Sequence, residues 1–135
     1  MYDVSATKRN RRVSITLPAT LVQKAREMAV GRGDVLSDFV RGAIITATRA
    51  AEVGYAHLPP AADARRPRGG GVVSFRYLAS EDEETRCAEA LARAGSSVVA
   101  VAEVALTNYV EMGGSRLDVV TPGDPWALRR TAGAA

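Results

Sequence analysis

The chain writes one pattern twice. The alternating run Val13-Ser14-Ile15 matches Val73-Ser74-Phe75 at an offset of 60. Further on, Leu36, Phe39, Val40, Ala43 and Ile44 match Val98, Val101, Ala102, Ala105 and Leu106 at an offset of 62. A two-residue insertion between Leu78 and Asp82 accounts for the difference. A repeat of this length marks a supersecondary unit that buries its apolar face only against another copy.

Each copy spells strand, helix, helix. In residues 12–17, Val13, Ile15 and Leu17 are apolar and Arg12, Ser14 and Thr16 polar, the period-two signature of a strand with one buried face. Pro18 stops it and suits a helix start. Leu21, Ala25, Met28 and Ala29 then share one helical face over about 18–30, with Gly31 and Gly33 as the stop. A second helix over 35–51, with Asp34 as candidate N-cap, carries the stripe Leu36, Phe39, Val40, Ala43, Ile44 and Ala47. In the second copy Val73, Phe75 and Tyr77 alternate with Ser74 and Arg76. Ser80 followed by Glu83 is a capping box, and Glu81 to Glu84 place negative charge at a helix start. Cys87, Ala90, Leu91 and Ala94 form the inward stripe, Gly95 ends that helix, and Ser96 or Ser97 caps the last one. Its stripe is Val98, Val101, Ala102, Ala105, Leu106 and Tyr109, ending near Gly113. The organisation is thus a basic arm (1–11), a first unit (12–53), a Pro/Gly/Arg linker (54–71), a second unit (72–113) and a tail (114–135).

A lone strand with two short helices leaves both strand edges open and buries too little surface. Two copies solve this together. The expected fold is mainly α, with a short two-stranded antiparallel ribbon over four helices. It forms either within one chain as a pseudo-dimer or between like copies of two chains as a homodimer. Val13, Ile15, Leu17, Val73, Phe75 and Tyr77 then face the core, and Arg12, Ser14, Thr16, Val72, Ser74 and Arg76 face outward. A two-stranded ribbon fits the major groove of B-DNA, where each base pair shows a distinct set of donors and acceptors.

The stretch from Arg12 to Pro18 (RVSITLP), followed by Leu36 to Ile44 (LSDFVRGAI), resembles the ribbon-helix-helix superfamily of the MetJ/Arc/CopG type. Val73 to Tyr77 (VSFRY) and Val104 to Tyr109 (VALTNY) resemble it again. The resemblance covers about two thirds of the chain, and two copies per chain are the TraY-like arrangement. It implies duplex DNA as partner, with Arg12, Ser14, Thr16, Val72, Ser74 and Arg76 as base-reading positions. Arg12 and Arg76 suit guanine O6 and N7, and Val72 departs from the polar pattern. The resemblance also implies phosphate clamps at the N-termini of the second helices, here Val35-Leu36 and Ser96-Ser97. Asp34 opposes phosphate at the first. Lys8, Arg9 and Arg11 are expected on the DNA backbone.

Other features carry less. The net charge of +3 and pI of about 9.4 are mildly basic. A single cysteine, Cys87, excludes an intrachain disulfide and fits a packing role and a reducing cytoplasm. No run approaches a membrane span, and the first twelve residues lack a secretion signal's apolar core. His57 has no metal or catalytic partner pattern, and no enzyme motif is present, so no catalytic residue, cofactor or metal is expected. Arg65, Arg66 and Arg68 stand between linker solubility and phosphate contact. Trp126, with Leu117, Val119, Val120 and Leu128, either docks on the chain's own core or binds a protein partner. The expected function is sequence-specific DNA binding as a transcriptional repressor, with further assembly on adjacent sites through residues beyond Met112. The rivals are a plasmid transfer or partition accessory protein, and an antitoxin whose tail wraps a toxin.

Overall fold

The two alternating runs pair with each other. In the computed structural model, which describes residues 11–54, 58–61 and 71–111, β1 (Arg11–Pro18) and β2 (Val72–Ala79) form a two-stranded antiparallel sheet within the chain. The register runs from Arg11 opposite Ala79 to Pro18 opposite Val72, with Ile15 opposite Phe75 at its middle. Alternation puts Val13, Leu17, Phe75, Tyr77 and Ala79 in the core, with Ile15 and Val73 half-buried beside them. β2 is longer than the sequence pattern suggests. It absorbs Leu78 and Ala79, which the repeat comparison places in the insertion.

Four helices lie beneath: α1 (Ala19–Arg32), α2 (Leu36–Glu52), α3 (Glu81–Arg93) and α4 (Val98–Glu111). α1 runs through Gly31 and stops at Gly33, which takes the left-handed conformation (φ 75°). Gly31 only lowers helix propensity, whereas the terminating turn requires positive φ, which Gly33 supplies. Around it Gly33 N–H donates to Val30 O, Asp34 N–H to Ala29 O, and Phe39 N–H to Val35 O. Sixty-two residues later the same three bonds recur: Gly95 N–H to Ala92 O, Ser96 N–H to Leu91 O, and Val101 N–H to Ser97 O, with Gly95 at φ 80°. The turn between helices is therefore duplicated bond for bond.

Several local expectations need correction, among them the α4 stripe, where Val98 is only half-buried and Ala100 is buried. The buried stripe of α1 is Val22, Ala25 and Ala29; Leu21 and Met28 are only half-buried at its margin. α3 buries Cys87, Ala90 and Leu91 as expected, but Ala94 is exposed because the helix has already ended at Arg93. Asp34 does not cap α2. Val35 occupies that position without a side-chain cap bond, and the Asp34 carboxylate instead accepts from Tyr109 Oη at 2.6 Å. In the second copy both serine caps form, but Ser80 and Glu83 make only half of a capping box, because Arg41 takes both Glu83 carboxylate oxygens. Ser80 Oγ accepts from Glu83 N–H and Ser97 Oγ from Ala100 N–H, each at 3.0 Å.

Packing crosses between the copies. α1 lies chiefly on α4, α3 on α2, and α2 on α4, while β1 sits over α4 and β2 over α2. The Phe39 and Tyr109 rings meet at 4.9 Å between α2 and α4. Leu17, Val22, Val40, Ile44, Leu91, Val101 and Leu106 are fully buried with them. Each such side chain contributes about 1.5–3 kcal/mol by leaving water. At the periphery Arg41 grips Glu83 with two bonds (2.8 and 3.0 Å) and Arg86 grips Glu52 with two (2.6 and 2.7 Å), both joining α2 to α3. Linker residue Leu58 is buried, and Ala61 N–H donates to Gly95 O at 2.9 Å. Among the described residues no single helix is long and apolar enough to cross a membrane.

Candidate nucleic-acid interface

The face of the ribbon turned away from the helices is built by alternation alone. With Val13, Leu17, Phe75 and Tyr77 anchored in the core, their neighbours Arg12, Ser14, Thr16, Ser74 and Arg76 stand exposed on the opposite side. Residues directly opposite across the two strands share a face. The outward face therefore consists of the pairs Arg12–Leu78, Ser14–Arg76, Thr16–Ser74 and Pro18–Val72.

All six expected base-reading positions lie on this face: Ser14, Thr16, Ser74 and Arg76 form its two central pairs, and Arg12 and Val72 stand in the pairs at its two ends. Val72 is exposed (53%) but sits at the last pair of the ribbon, against Pro18. Leu78, exposed at 50% and opposite Arg12, holds a place on the face that the sequence pattern did not assign. The signal was there: the alternation continues one step past Tyr77. It was masked by the insertion that shifts the repeat in this stretch.

Among the described residues, Arg12 and Arg76 have no carboxylate partner. Arg11, one position earlier, alternates to the other side and pairs with Glu84 of α3. Of the acids that open α3, Glu83 and Glu84 are thus engaged by Arg41 and Arg11.

The expected phosphate clamps differ from each other. At α2, Val35 is exposed and Leu36 buried, so only backbone N–H groups are on offer, with Asp34 and Asp38 close by. At α4 the first turn carries no acid. The Ser96 side chain is buried (3% exposed), and its N–H is committed to Leu91 O. Ser97 spends its hydroxyl on Ala100 N–H. What α4 presents is therefore the first-turn N–H groups of Val98 and Val99, which have no partner inside a helix, with the positive end of the helix dipole behind them.

Lys8, Arg9, His57, Arg65, Arg66, Arg68 and the tail with Leu117, Val119, Val120, Trp126 and Leu128 lie outside the described residues. Cys87 is buried on the α3 stripe, and burial pushes its thiol pKa up, away from the reactive thiolate. Among the described residues no group of His, Cys, Asp and Glu is placed to hold a metal ion.

Comparison with protein-family models, curated proteins and solved structures finds no match to this chain.

Proposed function

We propose that the chain is a tandem ribbon-helix-helix protein, folded as an intramolecular pseudo-dimer, that binds duplex DNA sequence-specifically and acts as a transcriptional repressor. The observation that carries this reading is the outward ribbon face. Two arginines and three hydroxyls stand on a platform whose other side is locked into the core, and among the described residues no carboxylate pairs with those arginines and no element covers the face. A solvated sheet face needs only polarity. Unpaired guanidiniums held on a narrow rigid ribbon match what a major-groove reader requires, since arginine makes two bonds to guanine O6 and N7. The duplicated interhelical turns and the cross-copy packing support the pseudo-dimer. The first turn of α4 is the better phosphate clamp, and Lys8 and Arg9 add backbone contacts ahead of β1.

The test is enrichment of bound sequences from a random duplex pool, with the Arg12→Ala/Arg76→Ala double variant alongside. A consensus that the double variant loses is the expected result. Binding that is absent, or salt-sensitive with no consensus in either protein, overturns the reading.

A further inference from the structure

The register of the ribbon says more than that the face is cationic; it says where the charge sits. The pairing centres on Ile15 and Phe75, and the sequence repeat relates the strands at an offset of 60. A two-fold axis through that central pair exchanges Arg12 with Val72, Ser14 with Ser74, Thr16 with Arg76, and Pro18 with Leu78. Only the serines are alike. Arg12 and Arg76 do not stand at opposite ends, as they would if each copy carried its arginine at the same position. They are diagonal neighbours, in the adjacent pairs Arg12–Leu78 and Ser14–Arg76.

We propose that the ribbon face is polarised, so that Arg12, Arg76 and Leu78 read a guanine-containing end of an asymmetric DNA element while Thr16 and Ser74 read an end without guanine contacts. This rests on the DNA-binding reading above and goes beyond it in assigning each end of the element its own chemistry and in making Leu78 a specificity-determining residue.

Diagonal cross-strand positions lie about 7–8 Å apart. Two like charges borne on positions that close repel one another, and among the described residues neither guanidinium finds a carboxylate. Each is best satisfied by its own pair of acceptors, and guanine is the base that shows two acceptors, N7 and O6, in the major groove. One outward position to the next spans about 6.8 Å of strand, close to two base-pair steps of about 3.4 Å. The two guanines therefore fall about two base pairs apart, in the same half of the element. Leu78 offers only apolar surface beside Arg12, and the thymine methyl is the apolar group that the major groove presents. Toward the other end Thr16 and Ser74 face each other with hydroxyls that both donate and accept, followed by Pro18 and Val72, which do neither.

The experiment takes the full chain through the same enrichment with single variants Arg12→Ala, Arg76→Ala, Leu78→Ala and Ser74→Ala, each first shown to melt as the parent does. These positions are exposed, so the fold is expected to survive. The polarised face predicts a non-palindromic consensus. Arg12→Ala and Arg76→Ala each erase one guanine in the same half and weaken binding to the parent's best site about 5- to 150-fold. Leu78→Ala relaxes a thymine beside the Arg12 guanine, and Ser74→Ala changes only the other half. A palindrome in which Arg12→Ala erases guanines at both ends overturns the polarity while leaving DNA reading intact, because it means like copies pair between chains. Guanines lost from opposite halves by the two arginine variants also overturn it. A parent protein with no consensus overturns the DNA-binding reading and the polarity together.

Discussion

Individual side chains show best how far a sequence specifies its own chemistry. The inward and outward residues of both strands follow from alternation, since a strand buried on one face can place its apolar residues in only one way. Tyr77 is one of these, buried at 4% exposure near Cys87 and the acids of α3. Burial first, then the negative charge of Cys87, Glu84 and Glu83, pushes its phenol up to about 12. A group whose folded pKa is raised stabilises the fold fully below its unfolded value, near 10, and loses that contribution as pH rises through the folded value. Stability should therefore fall between pH 10 and pH 12, and the Tyr77→Phe variant should lose much of that decline in urea melts run across the range. Asp34 was not legible in the same way. Its neighbours in sequence make it look like a helix cap, but its partner Tyr109 lies seventy-five residues away, and local spacing carries no information about a contact that distant.

At the scale of elements, the sequence specified kinds better than ends. All six elements and the stripe of α2 follow from periodicity, whereas in α4 Val98 is only half-buried and Ala100, off the expected stripe, is buried. The boundary of α1 does not, because Gly31 and Gly33 offer two stops and only the second is placed to take the left-handed turn. β2 outruns its pattern for a related reason: Ala79 is too small to announce itself as a core residue, yet it is 1% exposed. Among caps, Ser80 and Ser97 each satisfy one N–H that the first helical turn would otherwise leave open. Ser80→Ala and Ser97→Ala should each cost about 1 kcal/mol in urea unfolding with the slope unchanged. Val35→Ser, which gives α2 the side-chain cap it lacks, should move stability the other way by about 0.5–1 kcal/mol.

Across the whole molecule the decisive fact is which strand meets which. The repeat required two strands to pair but left open whether they belong to one chain or two, since periodicity is the same in both cases. In the structure β1 meets β2 of the same chain, and the ion pairs Arg41–Glu83 and Arg86–Glu52 join residues of different copies. Sedimentation equilibrium at micromolar concentration should accordingly return about 14.3 kDa rather than twice that, with a melting temperature independent of dilution. Across the copies the rings of Phe39 and Tyr109 meet, and Phe39→Ala should cost about 3–5 kcal/mol. At the offset of 62 the positions that answer to Phe39 and Tyr109 hold Val101 and Ala47, both buried, so two rings in one place correspond to two small side chains in the other.

That inequality is a freedom which self-pairing domains lack. Where two identical chains meet, every substitution lands twice, and a change that suits one side of the junction is imposed on the other. With both partners encoded in one polypeptide, each substitution lands once. A bulky ring can then settle opposite its complement without demanding room for a second, and one end of the ribbon can drift in sequence while the other stays as it is.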